Sequence, residues 1–279
     1  MPTLRIVDNG TIDLRTILAP AIAQARDVRL ASAFVSRSGL RMVEDGLSAC
    51  VDSEADVEFL VGLDSQGTEP EAVWELFHLC EKHERFAMYC YASSQPSTMY
   101  HPKVYLLRAD NQVVCSVGSS NLTAGGLARN VEVNIVLTGT TDDEAVCDLY
   151  ASYGRLKFHP DRVEPDEELL SLYEQLARRE RRRDRIDTKD AVLSSFLEKA
   201  RTLRRPKPGP RDLVGWLELV YDSLPKGEFT NADIYRQAPA FERRYPGNLN
   251  VRAKIRQQLQ ILRDMGLLQH TAAGRWRKL

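Results

Sequence analysis

The 279-residue chain lacks any Cys-x-x-Cys pair, and its five cysteines are scattered rather than clustered. Cys50, Cys80, Cys90, Cys115 and Cys147 are odd in number, have no zinc spacing and lie mostly in apolar runs. A disulfide framework and a zinc finger are thereby excluded, and buried, reduced thiols of a cytoplasmic protein are expected. No apolar run approaches the ~20 residues that span a bilayer. The opening MPTLRIVDNG lacks the basic-then-apolar order of a secretory leader. Internal repeats and low-complexity tracts are missing too, and 43% hydrophobic with 28% charged residues is the balance of an ordinary folded protein. Net charge is almost absent at −1, but only because two halves cancel. From Arg201 onward 16 basic residues face 7 acidic ones, a net of +9, whereas the first 200 residues carry −10. An acidic body with a basic tail points to a polyanionic partner reached through the C-terminal part.

What is present alternates between strand and helix patterns over the first ~150 residues. Ile12 to Gln24, Gly39 to Val51, Glu69 to His83 and Asp142 to Lys157 have helical spacing. Val28–Val35, Val57–Leu63, Arg85–Tyr91, Lys103–Arg108, Gln112–Val117 and Val131–Leu137 read as strands, with Asp110-Asn111 as a hairpin turn. This order predicts an α/β fold, a mixed sheet sandwiched by helices. Glu164 to Arg185 reads as a long helix, acidic at its start and basic at its end, as the helix dipole favours. Its terminal charge run reads as a solvated face or linker, and Arg204 to Arg211, with three prolines and a glycine, as a semi-extended basic linker.

The remaining segment has its own pattern. Asp212–Leu224 is helical, Thr230-Asn231-Ala232-Asp233 opens a short helix, and Val251 to Met265 is amphipathic with Gly266 at its C-cap position. Two short strands, Leu267–His270 and Arg275–Leu279, close the chain. Helix, helix, longer helix and hairpin is the order of a winged helix-turn-helix. Asn250, Arg252, Lys254, Arg256 and Gln257 gather at the start of the longest helix, where Arg and Lys suit guanine edges or phosphates and Asn and Gln suit adenine. Arg275, Arg277 and Lys278 would follow the DNA backbone from the wing. Trp216 and Trp276 read as packing residues.

The chemistry-bearing stretch is MYHPKVYLLRADNQVVCSVGSSNLTAGGLARNVEVN. His101 and Lys103 share one face of a strand. Gly118-Ser119-Ser120-Asn121 ends the next strand, and Glu132 falls in a third. Neighbouring strands would bring imidazole, ammonium, hydroxyl, amide and carboxylate together. An imidazole can attack phosphorus while Lys and Asn hold the non-bridging oxygens, a carboxylate can fix the imidazole tautomer, and Gly118 would admit a phosphate close to the backbone. Taken singly, each residue is ordinary: a surface His, a strand-edge Lys, a turn Asn.

This pattern resembles the phospholipase D superfamily signature, His-x-Lys then Gly-Ser-x-Asn and a downstream Glu. It is most similar to the nuclease and restriction-endonuclease branch with one motif per chain. The superfamily's usual Asp, five positions after the Lys, is replaced by Arg108, and Asp110 is off register. The resemblance implies a phosphohistidine mechanism with His101 as nucleophile, Lys103, Asn121 and Ser119 on the phosphate, and Glu132 orienting the histidine. It requires a second imidazole as general acid. Since His78, His83, His159 and His270 lack partner Lys and Asn residues, it implies a homodimer with one shared site and no metal or other cofactor. The tail, NLNVRAKIRQQLQILRDMGLLQHTAAGRWRKL, resembles the winged-helix domain of the Dam-replacing restriction endonucleases.

The domains expected are 1–160, PLD-like and catalytic; 161–210, a helical and basic linker; and 211–279, a winged helix binding DNA. The function expected is metal-independent, restriction-type cleavage of double-stranded DNA, with adenine-methylation dependence as a subsidiary reading and no role for a membrane. The alternatives are a phospholipase or phosphatidyltransferase, and a non-catalytic DNA-binding regulator.

Overall fold

The computed structural model describes residues 2–63, 67–93, 99–181 and 191–279. Two compact units emerge: residues 2–138 with 160–206, and residues 139–159 with 207–279.

In the first unit, β1 (Thr3–Val7) leads to α1 (Leu14–Gln24), whose N-terminus is capped by the Asp13 side chain on Thr16 N–H at 2.8 Å. There follow β2 (Asp27–Ser32), α2 (Arg37–Arg41), α3 (Glu44–Asp52), β3 (Asp56–Gly62), α4 (Pro70–Lys82) and β4 (Phe86–Tyr91). The hairpin β5 (Lys103–Ala109) and β6 (Gln112–Gly118) turns at Asp110, which takes the left-handed backbone (φ 48°) that a tight turn needs. β7 (Asn134–Gly139) is next, then α5 (Glu144–Lys157), which folds with the other unit. β8 (Arg162–Val163), α6 (Glu167–Arg181) and α7 (Ala191–Thr202) complete the unit. The sheet is eight-stranded in the order β1-β7-β6-β5-β2-β3-β4-β8. β2, β3 and β4 run parallel through helical crossovers, and β5 lies antiparallel to both β2 and β6. Every residue of β2 is buried, as required of a central strand with helices on both faces.

Several boundaries differ from the sequence expectation. The stretch 161–210 is not a linker over most of its length: Leu169, Leu170 and Tyr173 of α6 and Phe196 and Ala200 of α7 lie in the sheet's core cluster. The far end of the expected 164–185 helix falls outside the described residues. α5, expected with the sheet, sends Cys147 and Ala151 into the core of the second unit. All five cysteines are free, and only Cys80 is not fully buried.

The second unit joins α5 to α8 (Trp216–Asp222), β9 (Glu228–Thr230), α9 (Asn231–Tyr235), α10 (Ala238–Arg244), α11 (Val251–Asp264), β10 (Leu268–Ala272) and β11 (Arg275–Lys278). Thr230 N–H and Oγ1–H donate to Asp233 Oδ2 at 2.8 and 2.7 Å, the start signal expected for α9. The wing has three strands, β10-β11-β9, one more than the hairpin expected. Trp216 and Trp276 are both buried; Trp216 stacks on Tyr245 with centroids 4.5 Å apart, and Trp276 donates to Asn231 Oδ1 at 2.8 Å. Among the described residues no helix is long and apolar enough to cross a membrane.

Candidate active site

Antiparallel pairing sets one strand start between two strand ends. Lys103 at the start of β5 stands opposite Ser32 at the end of β2, and Val104 stands opposite Val117 near the end of β6. The pairing reaches one step further, with Ala33 N–H donating to Pro102 O at 2.9 Å. His101, two residues before Lys103, therefore projects at the same end of the sheet as the loop following β6.

Lys103 Nζ lies 2.7 Å from His101 Nδ1, 3.0 Å from Nε2 and 2.9 Å from the His101 carbonyl oxygen. A neutral imidazole keeps a lone pair on only one ring nitrogen, so the ammonium can donate to one of the two at a time, whichever the tautomer leaves open. Lys103 is only 5% exposed, while His101 is exposed. Burial holds the Lys103 pKa below its ordinary value, opposed by the negative charge of Glu132. Among the described residues no carboxylate forms an ion pair with Lys103, which leaves a buried positive charge poised for an anion.

The loop after β6 is fastened by its own polar groups. Asn134 Nδ2 donates to Ser120 Oγ at 2.8 Å, Asn134 Oδ1 accepts from Ser120 N–H at 3.2 Å, and Tyr105 Oη–H donates to Ser120 O at 2.8 Å. Asn121 Oδ1 accepts from Phe34 N–H at 3.0 Å, leaving its Nδ2 as the donor end. A Cβ on Gly118 would sit 2.3 Å from Val133 O and 2.4 Å from Asn134 Oδ1. The glycine is thus demanded by the strand lead-in crossing against it, a reason the sequence did not reveal.

Glu132 departs from expectation in two respects. It lies in the lead-in to β7 rather than in a strand, and it makes no hydrogen bond to His101. Its carboxylate instead accepts from Ser119 Oγ and, at 3.3 Å, from Asn130 Nδ2. Ser119 Oγ in turn accepts from Val133 N–H at 3.0 Å. Within one chain the carboxylate therefore braces Ser119 and biases Lys103 through charge. Sequence reasoning also missed Phe34, whose ring meets His101 edge-on with centroids 5.4 Å apart. A separate groove of about 340 Å³ between α3 and α4 is floored by leucines and rimmed by Glu44, Asp52 and Glu75, the wrong sign for a phosphate.

The C-terminal candidates divide. Asn250, Arg252, Arg256 and Gln257 are exposed at the start of α11, with the Arg252 guanidinium 5.5 Å from the Tyr235 ring and Arg256 donating to Tyr235 Oη at 3.0 Å. Lys254 does not join them: it is 6% exposed and paired with Asp148 at 2.5 Å and Glu144 at 3.3 Å, both on α5. On the wing, Arg275 is exposed, Arg277 pairs with Glu228 at 2.5 Å, and Lys278 lies 3.8 Å from the centre of the Tyr221 ring while donating to Tyr221 O. Among the described residues, Arg275 is the one wing cation with no side-chain partner.

Residues 18–153 match the family model described as cardiolipin synthase, PLD-like domain, and residues 213–278 match the Dam-replacing HTH domain. Similar solved structures include Nuc, a phospholipase D family member from Salmonella typhimurium, at 18% identity over 55% of this chain and 92% of that one, with a TM-score of 0.42. NucT from Helicobacter pylori has 18% identity over 56% and 94%, with a TM-score of 0.41. Phosphatidylserine synthase from Haemophilus influenzae Rd KW20 has 12% identity over 70% and 47%, with a TM-score of 0.47. By its two family matches, the chain joins a PLD-like domain to a C-terminal Dam-replacing HTH domain.

Proposed function

We propose that the chain is a DNA endonuclease of the restriction type, which hydrolyses a phosphodiester through a phosphohistidine on His101 without a metal ion, at a site shared by two copies. The observation that carries this reading is the buried Lys103 ammonium, without a carboxylate partner among the described residues, hydrogen-bonded to an exposed imidazole. Lys103 and the Asn121 amide would stabilise charge growing on the non-bridging oxygens, with Ser119 beside them.

In the first step a His101 ring nitrogen donates its lone pair to phosphorus, the P–O bond to the leaving DNA oxygen breaks, and the partner copy's imidazolium supplies that oxygen's proton. Water then attacks the phosphohistidine, giving its proton to the partner imidazole. The P–N bond breaks, leaving a phosphate monoester end and a free His101. The site supplies the cationic charge itself through lysine and imidazole.

A second copy is supported by the sheet edge beside the site. Leu4, Ile6, Val133 and Ile135 are 62%, 57%, 58% and 44% exposed, Ile6 stands opposite Ile135, and Val133 is bonded to Ser119. Apolar side chains lined up on an edge are a liability unless another surface covers them. DNA is the substrate favoured by the HTH match and by the exposed Asn250, Arg252, Arg256, Gln257 and Arg275. Arg277 and Lys278 would contribute less, being engaged already. We assign the units so that the sheet cuts and the winged helix selects the site, with N6-methyladenine as a candidate determinant.

Incubation of adenine-methylated and unmethylated plasmid with the protein in EDTA tests the reading. Cleavage in chelator, abolished by His101→Ala, is expected, and a difference between the two plasmids would establish methylation dependence. Loss of cleavage in EDTA with recovery on magnesium, or full cleavage by His101→Ala, would overturn the chemistry. Because the matched PLD-like model is named for cardiolipin synthase, phosphatidylglycerol and phosphatidylcholine vesicles form the competing arm. Turnover there without DNA cleavage would replace the substrate and keep the nucleophile.

A further inference from the structure

His101 is exposed, and the Lys103 ammonium reaches both of its ring nitrogens, at 2.7 and 3.0 Å. That bond fixes a distance but does not select which ring nitrogen faces phosphorus, nor the plane of the ring. Something else must do so for a nucleophile whose lone pair has to point along one line. Phe34, just beyond the end of β2, meets the imidazole at an interplanar angle of 73°. Its own ring has little freedom, since a Cβ on Gly67 would lie 2.3 Å from both Cγ and Cδ1 of Phe34. Ring and glycine backbone are therefore in direct contact, with no space for a side chain between them. The backbone of residue 34 is also held: Ser32 Oγ–H donates to Phe34 O at 2.7 Å and accepts from Leu122 N–H at 2.8 Å, and Phe34 N–H donates to Asn121 Oδ1 at 3.0 Å.

We propose that Phe34, seated on Gly67, is the positioning residue of this site: its ring sets the plane of the His101 imidazole, and its N–H turns the Asn121 amide so that the NH2 group faces the phosphate. This rests on the phosphohistidine reading above. One short segment thereby aligns both the nucleophile and an oxyanion donor, and neither is adjacent to it in sequence.

The test compares Phe34→Leu, Phe34→Ala and Gly67→Ala in the full chain, by plasmid cleavage in EDTA and by NMR of the histidine Cε1–H signals, with His101→Ala assigning the relevant peak. Phe34→Leu keeps apolar bulk without a ring, and Gly67→Ala keeps the ring but displaces it. All three are expected to lower kcat by about 10- to 100-fold with KM within about threefold, as for loss of an alignment needed only in the transition state. The His101 signal is expected to shift and broaden in each. Retention of kcat within about twofold by Phe34→Leu, a change confined to KM, or an unmoved His101 signal would overturn the proposal. Should the parent fail to cut DNA in EDTA, the functional reading fails, while the NMR arm still decides whether Phe34 fixes the His101 ring.

Discussion

Lys103 shows the tension between stability and chemistry at the level of a single side chain. Its burial disfavours the charged form, so the folded state holds the proton less tightly than the unfolded chain does. By linkage, the cost to stability is fully present below the depressed pKa and shrinks as pH rises from there toward the ordinary value of 10.5. Lys103→Met is therefore expected to raise the melting temperature near neutral pH by a few degrees, about 1 kcal/mol in a protein of this size, while abolishing cleavage. The gain should narrow in melts run at increasingly alkaline pH. A lower melting temperature for Lys103→Met would show that the lysine contributes net stability. At this scale His101, Lys103 and Asn121 stand out in the sequence only as a joint pattern and through its resemblance to the phospholipase D signature, since each alone has an ordinary reading. Phe34 does not, since an aromatic residue at the end of an apolar run looks like core. Its partners, His101, Gly67 and Asn121, are all remote in sequence.

Among the secondary-structure elements, α11 carries the sharpest correction. Lys254 lies three residues after Val251 and four before Gln258, which puts it on the buried stripe with Ile255 and Leu259. That spacing was readable, but the basic character of the segment drew the lysine into the DNA face. Arg256→Ala is expected to weaken binding to duplex DNA and reduce the slope of log K against log salt by about one, whereas Lys254→Met leaves that slope unchanged. A fluorescence-anisotropy salt titration distinguishes them, and an equal loss of slope in both variants would restore Lys254 to the interface. The long periodic helices α1, α4, α5 and α11 were all apparent in the sequence. β1, β9 and α10 were not, because strands of 5 and 3 residues and a helix of 7 carry too little periodicity and gain their order from pairing and packing. The helical stretch 39–51 divides into α2 and α3, with Met42 and Val43 between them.

For the whole molecule, the apolar edge of the sheet predicts the assembly. Ile135→Glu places a carboxylate opposite Ile6 on that edge, and multi-angle light scattering is expected to show a dimer for the parent and a monomer for the variant. The monomer should lose DNA cleavage even though its own His101, Lys103 and Asn121 are intact. An active monomer, or a monomeric parent, would remove the shared site.

The polypeptide passes between its two compact units at residues 138–139, 159–160 and 206–207, not once. A fragment starting at 211 would carry α11 and the wing but would strand Lys254 without Asp148 and Asp212 without Lys157, which it holds at 3.0 Å. It would also uncover the apolar surface that Cys147 and Ala151 now complete. Any attempt to graft this C-terminal unit onto another protein, by recombination or by an engineer, has to transplant the 139–159 segment together with the tail. A cassette with a single junction would be a broken part.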